Sequence, residues 1–572
     1  MIGAGDMQTT SNKLKVGILT GSDSEATCLS ISALIRVPGI EVRGILLDTE
    51  RATFRRRVRN LKRNIKREGI SYPWFRFGEA IYDKVEGWAA SLTPREQVDQ
   101  LLAESFPDQA FYLRDFSRTH GIPVMEVGNI NSPKAAETLQ LLDVDLGIVL
   151  GTRVLKRSTF SVPRLGCINL HKGKVPEYRG QPAGFWEIYD GQTEAGITVH
   201  YVDDGLDTGD VIAETLVTIH PKDTPETLRS KLDRRGAELL AETAKQIAEG
   251  RAARRPQLKS AQKTRTSPTR RERLRVARKA GVSAKGPSPV LQVFKTLFYL
   301  CLYHTGIYRM VRVGHQRFSS RRACILLYHR VNNFCRDPLT TSVKRFAEHL
   351  AMIRALYPVI STSRLLEHLR NNQQSSATHV AIHFDDCYRD VYTNAAPLLA
   401  RHETPACVFI SSGYIDTDRA FPHDLEKCPF RLENLRSEEI GGLVRKGIEV
   451  GAHTVNHVDL GKVPLDEAVS ELTQSKRDLE GILKCPVSVV SFPYGRKENI
   501  RPEVVDAVRQ TGYSAMFSAY GGFVEEGDDV FDLRRVGMSG AHRPLDLLMG
   551  IEGLALGAWK IRRESPKSRV KP

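Results

Sequence analysis

The sequence predicts an α/β protein of two domains: a doubly wound, Rossmann-like sheet in the N-terminal half and a distorted (β/α) barrel in the C-terminal half. Three observations predict it. Residues 15–21, 42–47, 145–151 and 167–170 are short apolar runs of parallel-strand type, and a helical pattern lies between the first two. A second series of strand-like runs, 325–328, 380–384, 406–411, 448–453, 487–492 and 513–517, alternates with helical patterns near 388–401, 437–446, 465–483 and 501–511, as a barrel requires. Between the two series lies a stretch with little to bury. Residues 251–285 hold thirteen Lys or Arg and one acid, Glu272.

Length and charge fit this division. A chain of 572 residues is too long for one core. The formal charge is +16, and residues 251–285 alone supply twelve of it, thirteen bases less one acid. A charge so concentrated marks a linker or tail, not a basic face for nucleic acid, which is therefore not expected as a partner. Residues 1–12 are polar and Gly-rich without an apolar signal core, and no run reaches the roughly 20 apolar residues of a membrane span. A cytoplasmic address is expected. Nine cysteines without a Cys-x-x-Cys pair indicate neither a disulfide framework nor a cysteine zinc site.

In the N-terminal half no Gly-x-Gly-x-x-Gly or Walker sequence follows the first strand, so neither a dinucleotide nor ATP is indicated. Residues 51–67 read as a strongly basic helix, solvated or touching an anionic acceptor, and 70–118 as a helical insertion with Trp74 and Trp88 but no evident task. The informative stretch is 167–180, Cys-Ile-Asn-Leu-His-Lys-Gly-Lys-Val-Pro-Glu-Tyr-Arg-Gly, closing a buried strand so that Asn169 and His171 emerge at its carboxyl end. Residues 196–202 then lead into Asp203-Asp204-Gly205-Leu206-Asp207-Thr208-Gly209. Singly, Asn169 and His171 could cap a turn and Asp207 open a loop; in this order they form a set. An amine attacking a formyl carbon creates an oxyanion, for which the Asn169 amide and a protonated His171 are suitable donors. Asp207 would favour imidazolium and could take the amine's proton.

The order Asn-x-His, Tyr-Arg-Gly, Val-His and Leu-Asp-x-Gly over residues 13–250 resembles the formyltransferases that use 10-formyltetrahydrofolate. The resemblance implies Asn169, His171 and Asp207 as the catalytic trio. It further implies Val149, Leu150, Gly151, Asp203 and Gly205 on the folate, and Tyr178, Arg179 and Gly180 on the acceptor.

After the basic linker, taken as 251–289 and flexible, residues 290–321 show apolar positions at near-helical spacing with bases at the flanks. This segment either packs on the next domain or lies on an anionic membrane surface, as a peripheral contact at the inner face. The barrel, 322–545, carries the second constellation: Asp385-Asp386 at a strand end, His453-Thr454-Val455-Asn456-His457, and Ser491-Phe492-Pro493-Tyr494-Gly495. If the middle segment is helical, its histidines share a face and can bind a metal together with a carboxylate. One of the two adjacent carboxylates can then bind metal while the other takes a proton from water. These motifs resemble the polysaccharide deacetylase family, the NodB-like group, in which the corresponding stretches are Thr-Phe-Asp-Asp-Gly, His-Ser/Thr-x-x-His and Pro-Tyr-Gly. The resemblance implies Asp385 as base, Asp386, His453 and His457 as ligands of a divalent metal, zinc by its ligand set, and Pro493 and Tyr494 as substrate contacts. Here Ser491 stands where many relatives have Arg. No Leu-x-His supplies a general acid, for which His542 is the candidate. Residues 546–572 read as a basic tail.

The whole is read as a two-enzyme fusion acting on an amino sugar carried by a nucleotide or lipid phosphate. It would transfer formyl to a sugar amine and remove acetyl from an N-acetylated sugar. Two other readings stay open: a tRNA-type formyltransferase with basic RNA-binding segments, and a formyltransferase fused to a catalytically dead sugar-binding barrel.

Overall fold

A computed structural model describes residues 13–50, 54–70, 72–106, 111–180, 182–257, 264–279, 289–318, 321–335, 337–371, 377–427 and 430–555. The polar start at 1–12, parts of the basic stretch (258–263 and 280–288) and the tail from 556 onward lie outside the described residues. The chain divides into two compact units, Met1–Phe75 with Phe106–Gly286, and Arg76–Ser105 with Pro287–Pro572.

The first unit is built on seven strands: β1 (Leu14–Thr20), β2 (Ile40–Leu47), β3 (Val124–Glu126), β4 (Leu146–Leu150), β5 (Cys167–His171), β6 (Glu194–Tyr201) and β7 (Val211–Thr218). Their order is β3-β2-β1-β4-β5-β6-β7, parallel from β3 through β5 and antiparallel beyond. The near-continuous Val, Ile and Leu of β1 and β4 follow from burial on both faces, since helices cover each side. Strand order reverses between β1 and β4, which opens a crevice at their carboxyl ends.

The second unit holds β8 (Arg321–Tyr328), a short parallel pair β9 (Arg330–Val331) and β10 (Thr340–Thr341), then β11 (His379–Phe384), β12 (Ala406–Ile410), β13 (Ile448–Ala452), β14 (Val489–Ser491), β15 (Ala515–Phe517), β16 (Val524–Glu525) and β17 (Val536–Gly537). From β8 to β15 the sheet is parallel, ordered β15-β14-β13-β12-β11-β8, and the antiparallel β16 pairs with β8. The stretch 530–537 closes it. Leu533 pairs with Phe517 of β15 while Val536 pairs with Leu326 of β8, so one segment bridges the sheet's two edges. This is the distorted parallel barrel expected.

Two expectations need correction. The helical insertion is divided: within the second unit, helix Arg95–Ser105 buries Val98, Leu101 and Leu102, and Arg401 Nε bonds Glu104 Oε2 at 2.7 Å. The described part of the basic linker is also not free. Arg255 pairs with Val211 of β7, Arg265 N–H donates to the Arg179 carbonyl at 2.8 Å, and helix Arg270–Lys279 buries Val276 in the first unit's core. Composition missed this because the segment is held by backbone hydrogen bonds and by guanidinium–ring contacts, such as Arg254 3.7 Å above the Tyr201 ring. Residues 289–318 form two helices, Pro289–His304 and Ile307–Phe318, that dock by Tyr299, Leu300 and Tyr308.

The division makes a testable claim about residues 76–105. Leu102 is 1% exposed, so Leu102→Ala should destabilise its unit by about 2–5 kcal/mol. Hydrogen exchange should then quicken in β8 and β11 and stay unchanged in β1 and β4; the reverse pattern would assign the segment to the first unit.

Candidate active sites

In the first unit the antiparallel register sets Asn169 of β5 opposite His200 of β6. His200 donates Nδ1–H to the Tyr201 carbonyl at 2.8 Å, which leaves Nε2 as acceptor for the Asn169 amide at 3.2 Å. The Asn169 amide also donates to Asp207 Oδ1 at 3.3 Å. Both bonds are long, as catalytic hydrogen bonds often are before substrate tightens them. Asp207 adopts a left-handed φ of 54°, which turns its carboxylate back over the strand ends. There Oδ2 lies 3.5 Å from His171 Nδ1 and accepts the Gly180 N–H at 3.3 Å.

Electrostatics correct one expectation. Burial pulls the His171 imidazole below its ordinary value and outweighs Asp207, so the neutral ring is favoured, and His171 Nε2 donates to the Tyr178 carbonyl at 2.7 Å. Burial alone would raise Asp207, but the two imidazoles beside it, His200 and His171, leave it below the usual carboxylate value.

The trio opens into a cleft of about 660 Å³ at the β1/β4 crevice, a volume suited to small molecules. Leu150 and Gly151 line it, and Val149, Asp203 and Gly205 line a smaller adjoining recess with Asn169 and Asp207. One wall comes from the basic stretch, through Thr264, Arg265 and Thr266. Trp186 Nε1–H donates to the Thr266 carbonyl at 3.1 Å, and the Arg265 guanidinium sits 5.1 Å above the Trp186 ring. Gly180 must be glycine to admit this strap: its φ is 96°, and a Cβ would lie 2.2 Å from the Arg265 carbonyl. Tyr178 braces the strap from behind, with its hydroxyl on Asp190 at 3.2 Å, and Arg179 holds it by its carbonyl. Among the residues predicted to meet the acceptor, Gly180 lies on the cleft itself.

In the second unit Asp385 and Asp386 follow β11, His453 follows β13 and Ser491 ends β14, so all converge at the carboxyl ends of the barrel strands. Donor atoms of Asp386, His453 and His457 lie within 4.8 Å of one another. His457 Nε2 is 3.1 Å and His453 Nε2 3.6 Å from Asp386 Oδ1. Both Asp386 oxygens are buried without a hydrogen-bond donor, and His453 Nδ1–H donates to the Ser491 carbonyl at 2.8 Å, aiming Nε2 at the cluster. Orphaned carboxylate oxygens and an oriented imidazole fit a divalent metal. The histidines do not meet on a helical turn, the condition under which their spacing would put them on one face. They lie on a loop with left-handed Thr454 (φ 61°) and His457 (φ 55°), which Glu471 pins by accepting the Val455 and Asn456 N–H groups, each at 2.8 Å.

Arg535 supplies the guanidinium that Ser491 does not. From the closing stretch it donates to both oxygens of Asp385 at 2.7 Å, and Nη2 also donates to Ser491 Oγ at 2.7 Å. Burial would raise Asp385, yet the Arg535 charge, with that of His453, holds it down at about 2. Tyr494, with φ 60°, stacks edge-on to His457 at 5.0 Å and remains 46% exposed at the mouth, with Pro493 buried behind it.

His542 does not join this cluster: its Nδ1 accepts the Ser539 N–H at 3.1 Å, and the charges acting on it are those of Asp546 and Lys295. Besides His453 and His457, the histidines whose charges reach Asp386 are His329 and His423. His329, at the end of β8, is half-buried with its Nδ1 unpartnered; burial lowers it while Asp386 and Asp385 pull it up. His423 Nε2 is 3.9 Å from Asp386 Oδ2 and already engages the Tyr388 hydroxyl at 3.0 Å. The dipeptide Tyr328-His329 ending an apolar strand was the available signal for His329. Nothing local marks Arg535 or His423.

Comparison with known proteins finds a family match in each half of the chain. Residues 105–244 match the family model described as formyl transferase, and residues 372–516 the one described as polysaccharide deacetylase. The methionyl-tRNA formyltransferase of Synechococcus sp. (strain JA-3-3Ab) is 36% identical over 143 residues, 25% of this chain and 44% of that protein, so the chain spans less than half of that relative's length. Among solved structures, the Streptococcus pyogenes deacetylase PplD in complex with acetate is 21% identical, over 40% of this chain and 98% of that one, with a TM-score of 0.35. The glycinamide ribonucleotide transformylase 1 of Symbiobacterium toebii is 20% identical, over 44% and 98%, with a TM-score of 0.30. This polypeptide thus joins a region that matches the formyl transferase family to a region that matches the polysaccharide deacetylase family.

Proposed function

We propose that the protein removes acetyl from an N-acetylated sugar in its second unit and formylates a sugar amine in its first, with 10-formyltetrahydrofolate as donor. The observation that carries this reading is that a site built to release an amine and a site built to consume one lie on the same chain. In the first site the amine attacks the formyl carbon, the new C–N bond forms, and the bond to N10 of the folate breaks. Asp207 takes the amine's proton and can return it to N10, while the Asn169 amide turns toward the oxyanion. Arg229 and Arg265 support a phosphate-bearing acceptor, because they line the cleft and Arg229 has no carboxylate partner among the described residues.

In the second site Asp386, His453 and His457 would hold a divalent ion, zinc by the chemistry of its donors. Such an ion supplies Lewis-acid polarisation of the amide carbonyl. Asp385, kept ionised by Arg535, takes a proton from the water that adds to the acetyl carbon; the C–N bond breaks, and that proton passes by way of His329 to the departing sugar nitrogen, leaving a free amine and acetate. The complete donor set favours an active barrel over a dead one. Eight described cysteines are free thiols, in keeping with a reducing, cytoplasmic address.

A second reading, formylation of an aminoacylated tRNA, is favoured by the curated relative and by helix Phe54–Glu68, with eight Lys or Arg against one acid. Direct assay of both acceptors decides between them.

Four outcomes test the proposal. Asn169→Ala should lower kcat of formyl transfer about 10²–10³-fold, the usual cost of an oxyanion donor. Arg229→Ala and Arg265→Ala should instead raise KM for a sugar nucleotide and leave turnover of a phosphate-free amino sugar unchanged. Metal analysis should find one divalent ion per chain, lost in His453→Ala and retained in Asp385→Asn and His329→Ala, both of which lose hydrolysis. Finally, the intact protein given an N-acetylated sugar nucleotide and labelled formyl donor should place label on the sugar, and Asp386→Ala should not; equal labelling would uncouple the two reactions.

A further inference from the structure

The thirty positions 289–318 contain Lys295, Arg309, Arg312 and Arg317 and no acidic residue. The two helices they form bury one face in the second unit. Thr296, Tyr299 and Leu300 point inward on the first, and the Tyr308 hydroxyl of the second lies 2.7 Å from that of Tyr357. The other face is apolar and open. Leu291, Phe294 and Phe298 follow at helical spacing, with Phe294 67% exposed, and Met310 and Val313 continue on the second helix, with Met310 73% exposed. Trp88, half-exposed, stacks on His304 at 5.5 Å. Arg309 and Arg317 share the helical face of Met310 and Val313, are exposed, and have no ion-pair partner among the described residues.

We propose that this face rests on an anionic lipid surface. Single exposed apolar side chains are ordinary, but a run of them on adjoining helices marks an interaction site. The charge pattern selects lipid over a second copy of the chain. A two-fold contact would set these arginines against one another with no carboxylate on either helix to answer them. Aromatic and aliphatic side chains at the headgroup boundary, with Arg309 and Arg317 toward phosphate, describe an interfacial helix pair. The pair lies on the bilayer and does not cross it: no helix among the described residues is long and apolar enough to span a membrane.

The test uses the full-length protein without substrates, so it is independent of both proposed reactions. Co-sedimentation with phosphatidylcholine vesicles containing about one-third phosphatidylglycerol should exceed that with pure phosphatidylcholine at least tenfold and weaken with salt. Phe294→Asp/Phe298→Asp should lose binding to both, with metal content and monomer mass unchanged. Arg309→Glu/Arg317→Glu should abolish the preference for anionic vesicles. Wild-type binding by either variant overturns the proposal. So does a dimer, seen by light scattering, that Phe294→Asp/Phe298→Asp dissociates, which would assign the face to a second copy.

Discussion

The ion pair between Asp385 and Arg535 governs the second unit, because neither partner is stable there alone. Both are essentially excluded from water, and Arg535 makes two charge-assisted bonds to the carboxylate, one to Ser491 Oγ and one, from Nε, to the Ser518 carbonyl. Removing one member of such a pair strands a buried charge at a cost of about 3–5 kcal/mol. The pair also carries information about closure. Arg535 lies in the only described stretch that pairs with both β15 and β8, so the contact that keeps Asp385 ionised forms as the barrel closes. One stretch thus contributes both the sheet's closing pairings and the charge that keeps Asp385 ionised.

The first unit solves a comparable problem differently. Asp207 is held by the Asn169 amide and the Gly180 N–H, with two histidine rings beside it, and its left-handed backbone turns it into place. No guanidinium among the described residues contacts it. Arginines stand further out, on the strap and the cleft wall.

Backbone strain is concentrated at the chemistry. Five of the nine described non-glycine residues with positive φ, Asp207, Asp386, Thr454, His457 and Tyr494, lie at the two sites. Each such residue costs on the order of 1–3 kcal/mol and persists only where its surroundings over-determine it. Glu471 under the histidine loop and the Gly180 N–H on Asp207 are those surroundings. A side chain at a strand's carboxyl end points away from the sheet by default, and the left-handed turn brings it back over the site.

The strand runs, the two α/β folds and the residues of both constellations were legible in the sequence, because apolar runs bounded by turns report burial and because Asn169, His171, Asp207, Asp385, Asp386, His453 and His457 lie in contiguous motifs. Tertiary structure alone decided what depends on distant pairing. It brought Arg535 to Asp385 across 150 positions and opposed His200 to Asn169. It folded the basic stretch against the first cleft and gave residues 76–105 to the second unit. It favoured a neutral His171, since desolvation depends on everything packed around the ring and no motif records that. Local pattern fixes which faces of an element are apolar; which partner covers each face is a property of the whole chain.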